Sequence, residues 1–145
     1  MTHTLISFLG RVPKTEDGYR MTRYQFDDVL DEPTAFIGWS LRRRLNTDRL
    51  VILGTAGSMW DHLFEKDFIL GVEAEDERLA LQIATENKTV TVDLLEPLIP
   101  LLTQRLGCDV RLVLIPYCRD EMEQLELLRL MAEEVNPGDQ VSLDV

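Results

Sequence analysis

The segment with the clearest chemical potential is the run Gly54-Thr55-Ala56-Gly57-Ser58, which follows the apolar stretch Leu50 to Leu53. Glycines let a backbone approach a ligand closely, and hydroxyls and exposed N–H groups can bind phosphate oxygens or nucleobase edges. The run therefore fits an anion-binding loop. It fits equally well a tight strand-to-helix turn in which Ser58 caps the helix, and the pattern alone leaves both interpretations open.

The motifs of common nucleotide enzymes and hydrolases are absent from this run. It has no G-x-G-x-x-G pattern, no lysine follows its second glycine as in a P-loop, and Ser58 lacks glycines at the two positions that the nucleophile elbow G-x-S-x-G requires. The sequence thus argues against ordinary dinucleotide-dependent enzymes, P-loop ATPases and serine hydrolases.

Residues suited to acid–base or metal chemistry are few. His3 and His62 are the two histidines, and neither lies in a cluster with metal-ligand spacing, so we expect no metal and no cofactor. His62 beside Asp61 could act as a general base, although a surface or capping role is the commoner use of such a residue. Cys118 beside Arg119 has no partner histidine for thiol catalysis. The sequence therefore assigns no catalytic residue.

Aromatic residues offer stacking surfaces for a nucleobase. Tyr19 and Tyr24 are five residues apart, so a regular strand places them on opposite faces and at most one can contact a base. Tyr117 and Arg119 follow a long apolar strand, where stacking or a phosphate contact is possible. Structural packing is the alternative for all of them. Trp60 is expected in the core.

The spacing of apolar residues predicts the elements that position these groups. Strands are predicted at Thr4–Leu9, Leu50–Leu53, Val110–Ile115 and Gln140–Val145, with a hairpin over Tyr19–Phe26. Helices are predicted to begin at Pro33-Thr34 (apolar positions Phe36, Ile37, Leu41, Leu45), Ser58, Asp76 (Leu79, Ala80, Ile83, Ala84), Asp93 (Leu94, Leu98, Leu101, Leu102, Leu106) and Asp120 (Met122, Leu125, Leu128, Ala132, Val135).

This order of elements predicts an α/β fold. We expect a Rossmann-like, mostly parallel sheet flanked by helices, with a β-hairpin insertion after strand one. Ligands of such sheets bind beyond the carboxyl ends of the strands. The candidate site is therefore formed by the loops after Leu9, Leu53, Ile115 and Val145.

Length and charge limit the possible partners. The chain has 145 residues, which we interpret as one domain over residues 1–145, and a net charge of −11. Such a charge argues against direct binding of duplex nucleic acid or of anionic membranes. Residues 1–50 nevertheless hold 8 Lys/Arg against 7 Asp/Glu, so this third should receive any anion.

The cellular location is predicted from what the sequence lacks. The start MTHTLISFLG does not resemble a signal peptide, and no apolar stretch approaches the ~20 residues that span a bilayer. Two cysteines, Cys108 and Cys118, cannot form a disulfide framework. We expect a cytoplasmic, reduced protein.

Four segments, TLISFLG, GYRMTRY, LVILGTAGSMWD and NPGDQVSLDV, occur in an order that resembles a known family. The order and spacing resemble the N-terminal sensor domain of CRISPR-associated Rossmann-fold (CARF) proteins, in the subgroup that joins this domain to a ribonuclease. The resemblance covers nearly the whole chain in scattered blocks. Its features are the Leu9-Gly10 stop, the pair Tyr19 and Tyr24, and the block from Gly54 to Trp60.

The resemblance implies a function and a site. Such domains form homodimers that bind a cyclic oligoadenylate, here most simply cyclic tetra-adenylate, across the dimer axis in type III CRISPR antiviral defence. A two-fold dimer suits a ring with internal symmetry, because each protomer offers the same loops to half of the ligand. The ligand-binding residues implied are Gly10 and Arg11 in the first loop and Thr55, Ala56, Gly57, Ser58 and Met59 in the second.

The resemblance also implies parts beyond this chain. The last strand would continue into a ligand loop containing Thr-His-Gly, and an effector ribonuclease region, missing here, would follow. Residues 1–145 would then be the N-terminal part of a longer protein.

Two alternatives come from other functional classes. Some members of this family slowly cleave their own ligand without a metal, and Thr55, Ser58 and Arg11 would be the residues to suspect in a ring nuclease. The other alternative is a Rossmann-like scaffold whose apolar helix faces only mediate dimerisation. Its melting temperature would not respond to adenylates.

Overall fold

Strands and helices alternate along most of the chain. The computed structural model describes residues 2–12, 14–15, 18–23, 25–26, 29–30, 34, 36–64 and 74–144. In chain order the elements are β1 (His3–Leu9), β2 (Lys14–Thr15), β3 (Gly18–Tyr19), β4 (Gln25–Phe26), β5 (Val29–Leu30), α1 (Ile37–Arg44), β6 (Arg49–Gly54), a 3-10 helix (Trp60–Phe64), α2 (Glu75–Asn87), α3 (Val92–Leu95), a second 3-10 helix (Glu96–Leu98), α4 (Ile99–Leu106), β7 (Asp109–Leu114), α5 (Glu121–Glu133) and β8 (Gln140–Asp144).

The central sheet has four parallel strands in the order β7-β6-β1-β8. Its register pairs Leu5 with Leu50 and Leu50 with Val110, so the apolar runs lie side by side. Strands with apolar residues on both faces are typical of parallel sheets covered by helices. The predicted Rossmann-like α/β fold is confirmed.

The two faces of the sheet have separate cores. One face packs against α2, α4 and the 3-10 helix, and Trp60 and Leu63 are fully buried there, as predicted for Trp60. The other face contacts α5 through Leu127, Leu130 and Met131. Because α5 covers this second face, its outer side points away from the sheet.

Two predicted helix faces are wrong for most of their residues. In α2 the predicted residues Leu79 and Ile83 are 54% and 53% exposed, whereas Ala84 is buried as predicted, together with Leu81, which the prediction left out. In α5 the predicted residues Met122, Leu125 and Leu128 are 81%, 65% and 61% exposed, whereas Val135 packs against the second core as predicted. Both helices carry apolar residues on more than one side, so periodicity alone could not select the buried side.

Other boundaries differ from the sequence prediction in detail. The single predicted hairpin is replaced by two short ones, β2 with β3 and β4 with β5. The long predicted helix after Asp93 is divided into α3, a 3-10 turn and α4, because Pro97 and Pro100 occupy first-turn positions. Gly107 ends α4 with a positive φ of 68°, as predicted. The predicted helix start at Pro33 lies outside the described residues.

The longest helices are short by the standard of a bilayer. Both α2 and α5 have 13 residues. Across the part of the chain that the structure describes, no helix combines the length and apolarity needed to cross a membrane.

Candidate functional site

The first two strand-end loops contact each other directly. The N–H of Met59 donates to the carbonyl of Gly10 at 2.9 Å, and Nε of Arg11 donates to the carbonyl of Gly57 at 2.8 Å. Nη2 of Arg11 also donates to the carbonyl of Thr85, near the end of α2. The structure therefore brings together the loops after β1 and β6, both of which the sequence predicts to be part of the site.

The second loop is a self-bonded turn. The hydroxyl of Ser58 accepts from the N–H of Thr55 at 3.0 Å, and the hydroxyl of Thr55 accepts from the N–H of Gly57 at 3.3 Å. The N–H of Ser58 donates to the carbonyl of Thr55 at 3.1 Å. Among the described residues, only the N–H of Ala56 in this turn lacks a partner.

This bonding changes the chemistry expected of the loop. Ser58 bonds a residue that precedes it and does not cap a following helix, which is a 3-10 turn that begins at Trp60. Both Ser58 and Met59 are buried, whereas Thr55 and Gly57 are half-buried. An anion at this loop must therefore be bound mainly by side chains around it, since most of the turn's own donors are already used.

Gly54 is required by packing. A methyl group at Gly54 would lie 2.6 Å from Cζ2 of Trp60, and Nε1 of Trp60 donates to the carbonyl of Thr55 at 2.8 Å. The carbonyl of Gly54 accepts from the N–H of Ile115 at 2.8 Å, which joins the ends of β6 and β7. The absence of a side chain at Gly54 thus lets the Trp60 indole pack directly against the loop and bond its backbone.

Gly57 is the point at which the cationic and aromatic side chains converge. A methyl group there would lie 3.0 Å from the hydroxyl oxygen of Tyr117 and 3.5 Å from Cγ of Lys88. The guanidinium of Arg119 lies 5.5 Å from the centre of the Tyr117 ring, and Arg11 bonds the Gly57 carbonyl. Arg11 and the Lys88 side chain therefore lie against the turn, and Arg119 stands beside Tyr117, where its guanidinium also pairs with Glu123 at 3.4 Å.

The loop after β7 holds Tyr117 outward. Cys118 has a positive φ of 62°, an uncommon conformation for a residue with a side chain, and it separates Tyr117 from Arg119. The carboxylate of Glu123 accepts from the N–H of Arg119 at 3.0 Å, and Asp120 caps α5 as predicted. Tyr117 is about half exposed, and the Arg119 guanidinium lies over its ring.

A buried polar group lies behind the second loop. The hydroxyl of Tyr19 donates to Oδ1 of Asp61 at 2.7 Å, and the Tyr19 ring meets His62 edge-on at 5.7 Å between centroids. His62 is fully buried, so of the expected surface or capping role the surface part is wrong. Tyr19 is also buried, and Tyr24 lies outside the described residues. Tyr19 therefore serves packing at this position.

The carboxyl end of the last strand, β8, lies beside the carboxyl end of β1. Oγ of Ser7 donates to Oδ2 of Asp144 at 2.6 Å, which holds the end of β8 to β1. Val145 and its loop lie outside the described residues. Within the described part of the chain, no group of three His, Cys, Asp or Glu residues is arranged to hold a metal ion.

Sequence reasoning missed Lys88. It stands in the left-handed conformation that ends α2, and its N–H donates to the carbonyls of Ala84 and Thr85. The sequence predicts that a helix ends near Lys88. It does not predict whether that helix end lies near the carboxyl ends of the strands. Three helical elements (α3, the second 3-10 helix and α4) separate Lys88 from β7, and the structure places Lys88 beside Gly57.

The comparisons with known proteins show one similarity of interest. The chain is similar to the CRISPR-associated protein MJ1674 of Methanocaldococcus jannaschii, with 25% identity over 167 aligned positions that include 100% of this chain. The chain spans 26% of the length of that relative. No model of a known protein family matches the chain, and no solved structure matches it.

Proposed function

We propose that this chain is the sensor domain of a CRISPR defence protein and that it binds a cyclic oligoadenylate at the turn around Gly57. The observation that carries the proposal is the convergence of Arg11, Lys88 and Tyr117 on that turn, with Arg119 beside the tyrosine. Cations suit the phosphates of such a ring, and an exposed aromatic ring suits its bases. Similarity to a CRISPR-associated protein over the whole chain supports the biological setting.

The structure suggests how each part of the ligand would be recognised. A base stacks on Tyr117, which has one exposed face, and base stacking on an aromatic ring contributes about 1–3 kcal/mol per base. The neighbouring phosphate contacts Lys88 and the N–H of Ala56, the donor that the turn leaves unused. Arg11 fixes the turn through the Gly57 carbonyl and presents its remaining N–H groups to the ligand.

We further propose that the domain acts as a homodimer. The exposed stripe Met122, Leu125 and Leu128 on α5 is the kind of apolar surface that a second protomer covers. This stripe begins three residues after Arg119, so a two-fold contact through the first half of α5 brings two ligand loops close together. A ring with two-fold symmetry could then contact both. In such a dimer, a change in structure caused by ligand binding would regulate an attached effector ribonuclease.

Calorimetric titration of the chain with cyclic tri-, tetra- and hexa-adenylate tests the proposal. We expect binding of one ring per two chains, with cyclic tetra-adenylate favoured, and a higher melting temperature in its presence. Tyr117→Ala and Lys88→Ala should each weaken binding without changing the fold, because both side chains are at the surface. If none of the three rings changes the melting temperature of the chain, only the scaffold function would remain.

Sedimentation velocity tests the dimer separately. Leu125→Glu should dissociate the dimer, since burying an unpaired carboxylate at an apolar contact is unfavourable. Leu79→Glu on α2 makes the same change at a comparably exposed site and serves as the control. A wild-type chain that stays monomeric with and without the ring would remove the dimer from the proposal.

A further inference from the structure

The outer side of α2 forms an apolar surface from five to nine residues before Lys88. Leu79 and Ile83 are exposed there, one turn apart on the same side of the helix. Beside them a groove of about 220 Å³ opens between α2, α3 and the second 3-10 helix, and its apolar lining residues are Ala80, Leu94 and Pro97. This surface takes no part in the ligand site around Gly57.

The groove has an acidic rim. Asp76 and Glu77 line it from α2, and Asp93 lines it from α3. Between residues 75 and 98 the sequence has six acidic residues against two basic ones, Arg78 and Lys88. Neither base lines the groove, and Nη1 of Arg78 donates to the carbonyl of Phe64 at 3.3 Å. Among the residues that the structure describes, the groove thus combines an apolar lining with three carboxylates and no lining cation.

We propose that this groove binds a basic amphipathic helix of a partner protein. The aliphatic stem of an arginine or lysine fits over Ala80 and Pro97 while its cationic head lies among the carboxylates. Apolar side chains on the same face of the partner helix cover Leu79 and Ile83. The carboxylates and the apolar residues of this surface therefore both favour a helix that carries basic and apolar side chains on one face.

A second copy of this chain is a poor occupant, because its one strongly basic described helix, α1, already packs Leu41 against its own core. The other helix with an exposed apolar side, α5, has four glutamates and one arginine, so it would bring like charge to the rim. Like-charge contacts across an interface are unfavourable and reject wrong partners. The occupant is a basic helix from another protein.

A synthetic peptide tests the proposal directly. The probe is a fluorescein-labelled helix of about 14 residues with leucines on one face and arginines beside them, and its control has glutamates in place of the arginines. Fluorescence anisotropy should show binding of the arginine peptide to the whole chain and none of the glutamate peptide.

Matched variants separate groove binding from general attraction to an acidic protein. Ala80→Trp fills the groove at unchanged charge and should weaken binding roughly tenfold, as expected for the loss of a central contact. Ala132→Trp, at an exposed site on α5, should leave binding unchanged. Asp93→Asn should weaken binding more than Glu121→Gln, although each removes one negative charge.

Several outcomes would overturn the proposal. They are absence of binding at low salt, equal effects of the two tryptophan variants, and equal effects of the two charge variants. Sedimentation velocity adds a fourth, since dissociation of a homodimer by Ala80→Trp would show that a second copy occupies the groove. Circular dichroism of each variant checks that a loss of binding is not a loss of fold.

Discussion

Arg11 and Gly57 belong to different loops, and Nε of Arg11 lies 2.8 Å from the carbonyl oxygen of Gly57. A second bond from the same guanidinium reaches the carbonyl of Thr85. One side chain therefore fixes the first loop, the second loop and the end of α2 relative to one another.

Arg11→Gln should destabilise the chain by about 1 kcal/mol, because one shorter amide replaces two charge-assisted hydrogen bonds at an exposed site. Urea denaturation measures this loss. Arg23→Gln removes the same charge from another exposed position and should change stability by less than about 0.5 kcal/mol. Equal effects of the two variants would show that the bonds of Arg11 contribute no more than its charge.

Gly54→Ala should destabilise the chain by about 1–3 kcal/mol, the usual cost of overpacking a buried site. The added methyl group would lie 2.6 Å from the Trp60 ring, which is buried and held by its own hydrogen bond. Gly10→Ala is the control, because a methyl group at Gly10 meets no atom within 4 Å. Thermal unfolding of both variants measures the difference, and a neutral Gly54→Ala would contradict the tight packing of the indole.

Glu134→Gln should destabilise the chain by about 2 kcal/mol, because Glu134 is buried at the end of α5 and pairs with two arginines. Nη2 of Arg49 lies 2.6 Å from its carboxylate, and Nε of Arg111 lies 3.4 Å away. The adjacent Glu133 pairs with Arg129 at the surface, so Glu133→Gln should change stability by less than about 1 kcal/mol. Chemical denaturation that ranks the two variants in the opposite order would refute this assignment.

The reactivity of Cys108 should depend on pH. Burial raises the pKa of this thiol above its ordinary value, against the opposing effect of Arg42 and with help from Asp109 and Asp48. Alkylation of the folded Cys118→Ser variant should therefore accelerate at a higher pH than alkylation of the same chain in urea. The folded state holds the proton more tightly, so this contribution to stability is present below the unfolded pKa and is lost as the pH rises through the folded pKa. Identical alkylation profiles would exclude the shift.

The sequence predicted the fold well because the strands leave little ambiguity. Leu50 to Leu53 and Val110 to Ile115 are short unbroken apolar runs between helical patterns, and such runs suit a buried parallel strand. The helix faces were harder. In α5, Leu127 and Leu130 face the sheet while Leu125 and Leu128 face outward, and periodicity does not choose between two apolar sides.

The site could be predicted only in part. Adjacent strand ends bring Gly10 and Gly57 together, which follows from the parallel order of β1 and β6. The internal bonds of Ser58 and the position of Lys88 depend on the three-dimensional course of the chain after β6. Ligand binding by Gly10, Arg11 and the segment Thr55–Met59 stays a prediction.

The most direct test of the central claim follows the amide signals of the ligand turn by NMR while cyclic tetra-adenylate is added to the chain. We predict saturable shifts at Ala56 and Gly57, with the Ala56 N–H moving downfield as it gains a phosphate partner, and no shift at Leu50 in the middle of the sheet. Shifts confined to other parts of the molecule, or none at concentrations up to about 1 mM, where even weak binding would register, would contradict the claim.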